Sequence, residues 1–253
     1  MRDIYINRKE LELKSNPKCL PMMTPVLNPE LFINPSMKVL RLPQSYSSSM
    51  DMGVSAIVCK LLLVNKYRDG IWLVMEDDKS KISIPGGHVS EYEWNHYNRY
   101  PYNCIVDTIV REMVEEHPML DITVIDTFSN SPEDALVKVI SEYGFTINQS
   151  VEFPLFYTYG SHDNVNYRDL IIYLVKEVDF PNQQRIPDFS NYTVGRTVWY
   201  SRKEHSINKR YSRDRRGLYC SPYDNDIRID DEGVELLDKI FSTEKLFGKI
   251  DIY

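Results

Sequence analysis

The sequence predicts an α/β or α+β sandwich, a β-sheet packed against separate helices. Three observations predict it. A Leu-rich, β-branched run from Ser55 to Val64 reads as a buried strand. Residues 104 to 117 carry apolar positions at helical spacing and stop before Pro118, which biases the preceding residue away from helix. Phe153 to Tyr159 and Arg168 to Val178 read as two strands of a hairpin around a polar His162-Asp163-Asn164 loop. Strands therefore lie on both sides of the helical segments, as layered folds require.

The elements follow in order. Residues 1–50 contain Pro17, Pro21, Pro25, Pro29, Pro35 and Pro43, a spacing that prevents long helices, so an irregular N-terminal arm is expected there. Residues 51–253 form one domain. After the Ser55–Val64 strand, Arg68-Asp69-Gly70 turns the chain into a second strand, Ile71 to Met75. Ile82-Ser83-Ile84 runs into Pro85-Gly86-Gly87, which ends it. Glu133 to Tyr143 reads as a helix behind Ser131-Pro132, closed by Gly144. Thr197 to Tyr200 is a short strand, and Glu232 to Phe241 a C-terminal amphipathic helix.

Composition narrows the function classes. With 42% apolar and 12% aromatic residues the chain has ample material for a core, which excludes global disorder. Its uncharged apolar runs, such as Leu61 to Val64 and Ile171 to Val175, fall far short of the roughly 20 residues that span a bilayer. No membrane partner is expected, and Met1-Arg2-Asp3-Ile4-Tyr5 lacks the apolar stretch of a signal peptide. Cys19, Cys59, Cys104 and Cys220 form no CxxC pair and read as buried thiols, which points to a reducing, cytoplasmic location. The net charge of −7 is uneven. Arg196 to Arg216 holds eight Lys or Arg against two acids, a local +6 that leaves −13 elsewhere. An acidic body with one basic segment argues against general duplex binding but permits a localised anion site.

The chemistry concentrates on the 104–117 helix. At about 100° per residue, with Glu112 at zero, Glu116 falls near 40° and Glu115 near 300°. Val106, Val110, Met113 and Val114 lie on the other side, with Ile109 at the margin. Three carboxylates in one arc repel each other unless a cation neutralises them, and hard oxygen donors suit Mg²⁺ or Mn²⁺. Alone, such a stripe is an ordinary solvated face. Upstream, however, Gly86 and Gly87 leave a strand where the backbone can come close to a ligand.

The pair of signals resembles the Nudix box. Gly87 is followed after five residues by Glu93, and the second half reads Arg111-Glu112-Met113-Val114-Glu115-Glu116-His117. The family has seven residues between the two halves, whereas Trp94 to Val110 here gives seventeen, a ten-residue insertion expected to bulge outward. Pro118 also replaces the family's closing glycine. The resemblance implies a Nudix-type α/β/α sandwich with a mixed β-sheet, and a Mg²⁺-dependent hydrolase that cuts a pyrophosphate bond in a nucleoside diphosphate derivative. It further implies that Glu112, Glu115 and Glu116 hold the metal with the Gly87 carbonyl, and that Arg111 pairs with Glu93 to orient loop against helix.

Weaker signals concern substrate. Gly86 and Gly87, Trp94 and Tyr97 from the insertion, and Arg202 from the basic segment are candidate substrate contacts. Trp94, His96, Tyr97, Tyr100 and Tyr102 either stack a base or cap the core. Glu152 and Glu177 are candidates for an extra metal ligand. The expected partner is a small nucleotide (a dinucleotide, a nucleotide sugar or a nucleoside triphosphate). Alternatives are 5′-capped RNA, favoured by the basic segment, and a non-catalytic nucleotide-binding scaffold on the same fold. A homodimer is compatible with all three.

Overall fold

The computed structural model describes residues 39–41, 53–67, 70–75, 82–97, 100–115, 131–161, 167–179, 197–203, 205–206, 218–219, 228–229, 238, 240 and 242. The elements are β1 (Val39–Arg41), β2 (Gly53–Val64), β3 (Gly70–Met75), β4 (Ile82–Ser83), β5 (Gly86–His88), α1 (Glu91–Tyr97), α2 (Pro101–Glu115), α3 (Pro132–Glu142), β6 (Thr146–Ile147), β7 (Leu155–Ser161), β8 (Tyr167–Asp179), β9 (Thr197–Ser201), β10 (Leu218–Tyr219) and β11 (Arg228–Ile229). The chain is of the α/β class, with a mixed sheet.

The sheet is organised on β2 and β8, which run parallel from Gly53↔Tyr167 to Val64↔Glu177. The strand order is β1-β7-β8-β2-β3-β4, with β5 paired to β2, β6 to β8 and β9 to β3. β7 and β8 form the expected antiparallel hairpin; the tip that joins them, 162–166, lies outside the described residues. β2 is apolar at nearly every position because both faces are covered. Ile57, Cys59, Leu61 and Leu63 enter one core with Leu170, Ile172 and Leu174 of β8 and with apolar residues of α2 and α3. Ala56, Val58, Leu62 and Val64, on the other face, are buried too.

α3 begins and ends where its local chemistry dictates. The Ser131 side chain accepts from the Asp134 N–H at its N-terminus, with Pro132 in the first turn. At its C-terminus Phe145 N–H donates to Ile140 O and Gly144 N–H to Ser141 O, the Schellman arrangement. Phe145 is buried.

Three expectations change. Within the N-terminal arm, Val39–Arg41 is not irregular but a strand, parallel to β7; the rest of residues 1–50 lies outside the described residues. The insertion does not bulge out as a loop. It completes α1 and then adds a turn to α2, which starts at Pro101 rather than at 104. Proline suits a first helical turn, where its missing N–H has no partner to lose. The expected helix stop near His117 lies outside the described residues, as does most of the 232–241 helix, of which Asp238 and Ile240 are helical. No helix among the described residues is long and apolar enough to cross a membrane.

Gly86 has φ +125°, and a Cβ built on it would strike the Cys59 carbonyl oxygen of β2. Gly86→Ala is therefore expected to destabilise the fold by about 3 kcal/mol or more, since both the dihedral and a neighbouring backbone oppose it. Urea denaturation checks this, and a loss below about 1 kcal/mol would show that β5 does not lie so close to β2.

Candidate active site

The local sequence Ser90-Glu91-Tyr92-Glu93 starts the site. Glu93 N–H donates to Ser90 Oγ at 3.2 Å, and Ser90 N–H donates to Glu93 Oε2 at 2.8 Å. This reciprocal capping box sets the start of α1 and fixes the Glu93 carboxylate. Glu93 is fully buried, so it requires a positive partner. Arg111 Nε supplies it, donating to Glu93 Oε1 at 2.7 Å, and Thr108 Oγ1 donates to Oε2 at 3.0 Å. Thr108 and Arg111 lie three residues apart on α2, hence on one face.

The remaining guanidinium nitrogens hold the acidic face of α2. Arg111 Nη1 donates to Glu115 Oε2 at 2.9 Å, and Nη2 lies 2.7 Å from Glu112 Oε1. Nη2 also donates to the His88 carbonyl at 2.7 Å, which ties β5 to the helix. One buried cation thus gathers three carboxylates and a strand. Burial alone would lower the Arg111 pKa, but Glu93, Glu112 and Glu115 outweigh it and leave it raised. The pair with Glu93 is no surface bridge: the two side chains are 8% and 0% exposed.

Gly87 completes the centre. Its register partner on β2 is Cys59, which faces the helix-side core, so Gly87 faces the same way. A Cβ at this position would fall on the Glu112 carboxylate. Gly86 faces the opposite side, where its carbonyl accepts from Lys60 Nζ at 2.7 Å. The two glycines therefore do separate work: Gly86 makes the backbone turn possible, and Gly87 leaves room for a carboxylate.

The acidic face is not a solvated stripe. The Glu112 and Glu115 side chains are 18% and 25% exposed. Burial pushes the Glu115 carboxyl up to about 7; contact with Arg111 opposes this, and Glu112 adds to it. Glu115 Oε1 is buried with no hydrogen-bond partner. When Glu93, Glu112 and Glu115 are all ionised, one guanidinium leaves two negative charges uncompensated. A hard divalent cation fits that donor set: an orphaned carboxylate oxygen, a second carboxylate, and a glycine backbone with no side chain in the way. Among the described residues no three His, Cys, Asp or Glu side chains converge as a ready-made metal cage; Glu116 lies outside those residues.

Trp94 and Tyr102 are partly buried and pack against the core, the capping role rather than an open stacking face. Tyr97 belongs to α1, but its side chain lies outside the described residues. Arg202 is half-buried beside β9, and its carbonyl accepts from Ser206 Oγ at 3.0 Å. Most of the basic segment and the hairpin tip lie outside the described residues. Glu177 is buried and accepts from Asn148 Nδ2 at 2.9 Å, and Glu152 is exposed. Cys59 and Cys104 are buried, and burial raises both thiols well above their usual range, so neither is a ready nucleophile. Ser90 and Thr108 were not singled out in the sequence. The Ser-x-x-Glu spacing is a legible capping signal, whereas the Thr108 contact exists only once α1 and α2 are packed.

Compared with protein-family models the chain has no match, and compared with curated proteins it has none.

Two outcomes test this geometry. Glu93→Gln removes one partner of a buried pair while Glu112 and Glu115 still hold Arg111, so a loss of about 3 kcal/mol is expected in denaturant unfolding. A loss within about 0.5 kcal/mol would contradict the burial of the pair. The second concerns pH. A carboxyl raised from its ordinary 4.5 to about 7 binds a proton more tightly in the folded chain. In metal-free protein its contribution to stability is full below 4.5 and is lost as pH rises towards 7. Glu115→Gln should flatten that slope in urea titrations at stepped pH; equal slopes in parent and variant would show that Glu115 is not desolvated.

Proposed function

We propose that the chain is a Mg²⁺- or Mn²⁺-dependent pyrophosphohydrolase of the Nudix type, an α/β/α sandwich that cuts a pyrophosphate bond in a nucleoside diphosphate derivative. One observation carries this reading. The two halves of the motif, separated by seventeen residues in the sequence, meet in space: Glu93 on Arg111, and Gly87 on Glu112. A charged stripe that happened to lie on a helix would have no reason to do so.

Glu112 and Glu115 would hold the metal with the Gly87 carbonyl, and by resemblance Glu116 with them. When bound, a divalent ion acidifies the attacking water and neutralises charge on the departing phosphate. The chain's own residues do the rest. Arg111 holds Glu112 and Glu115 at fixed positions so that no reorganisation is needed when a substrate arrives. Glu115 Oε1 offers an open acceptor atom, for a ligand bond or a proton. Gly87 keeps the approach to Glu112 free of side chain.

The test is a product panel: NAD, ADP-ribose, diadenosine polyphosphates, nucleoside triphosphates and 5′-capped RNA, each with Mg²⁺ and Mn²⁺, with products identified by mass. Nucleoside monophosphate or inorganic phosphate products are expected from at least one member. Glu115→Gln should lower that turnover by at least about 100-fold, more than loss of an outer partner of a metal ligand would, with the protein still folded. Failure of every substrate with both metals would leave a non-catalytic binding protein.

A further inference from the structure

We propose that helix α1 recognises the nucleobase, with the Tyr92–His96 ring pair as the platform on which it stacks. The choice of ligand rests on the hydrolase reading above. The aromatic residues in and around α1 fall into two sets. Trp94 and Tyr102 pack against the core and anchor the segment. Tyr92 and His96 lie four residues apart, on one face of α1. Their rings are nearly parallel, at 7°, with centroids 5.8 Å apart. Tyr92 remains 41% exposed, and Tyr100, eight residues further along, 66%. Those two and Tyr67 are the exposed large hydrophobic side chains among the described residues. Two of the three therefore belong to one short stretch, joined to the carboxylate centre.

The junction is what makes the rings useful. A helix of seven residues does not hold itself together in water. α1 is instead fixed through Glu93, which takes hydrogen bonds from Ser90 N–H, Thr108 Oγ1 and Arg111 Nε. The platform and the phosphate-cutting centre thus share one carboxylate and keep one relative position. Rigid aromatic surface loses little conformational freedom on binding. A flat ring pair extends naturally by a third ring, and every base has a π-face, so stacking accepts purines and pyrimidines alike. A protein partner would also cover exposed tyrosines, but it would not require the parallel ring geometry or the tie to Glu93.

Equilibrium dialysis in EDTA tests this without turnover, using full-length protein with adenosine 5′-monophosphate, guanosine 5′-monophosphate, ribose 5-phosphate and a 5′-capped oligoribonucleotide. The nucleotides should bind and ribose 5-phosphate should not. Tyr92→Ala should weaken nucleotide binding by about 5- to 100-fold, and Tyr92→Phe, which keeps the ring, should restore it. The capped oligoribonucleotide distinguishes RNA from free nucleotide as the source of the base, and loss in Tyr92→Ala is expected for whichever binds. Absent nucleotide binding, equal binding of ribose 5-phosphate, or unchanged affinity in Tyr92→Ala would overturn the platform. The hydrolase reading fails separately, through a parent protein that releases no product from any substrate with either metal.

Discussion

The arrangement depends on one buried guanidinium. Arg111 is surrounded by Glu93, Glu112 and Glu115 and by the His88 carbonyl, from three separate elements. Taking a charge out of water costs several kcal/mol, and only good geometry with several partners offsets it. That condition makes the contacts mutually dependent. If Glu93 leaves, Arg111 loses its best-buried partner; if Arg111 leaves, three carboxylates face one another with nothing between them.

The same constraint explains how the ten residues Trp94 to Asn103 fit between the two parts of the acidic centre. They enter after Glu93 has been fixed by its capping box and before α2 presents Thr108 and Arg111. This stretch forms the rest of α1 and the first turn of α2, with Trp94 and Tyr102 buried enough to hold it. Tyr102 OH donates to Glu133 Oε2 at 2.8 Å, which attaches that turn to α3. Neither half of the acidic centre needs to move.

Much of this was legible in the residues. β2, α3 and the β7–β8 hairpin have long apolar periods or clear capping signals, and they formed within a few residues of where those signals lie. The short α1 was missed because seven residues carry too little periodicity, although Ser90 and Glu93 announce its start. β1 was missed because three residues amid prolines cannot be told from irregular chain without their partner β7. In the site, Gly87, Glu93, Arg111, Glu112 and Glu115 were all named. Their burial was not foreseen, since the angular position of a carboxylate on a helix says nothing of the strand laid across it. The division of labour between Gly86 and Gly87 likewise needed the register with Lys60 and Cys59.

Divalent metal at Glu112 and Glu115 is the claim on which the proposed chemistry turns. Anomalous diffraction from crystals equilibrated with Mn²⁺ measures it directly. The expected result is an anomalous peak within coordinating reach of both carboxylates, with Glu93 still on Arg111. A map without manganese there, and with Glu112 and Glu115 both unchanged on the guanidinium, would contradict it: the cluster would then be a structural ion-pair network and no catalytic centre.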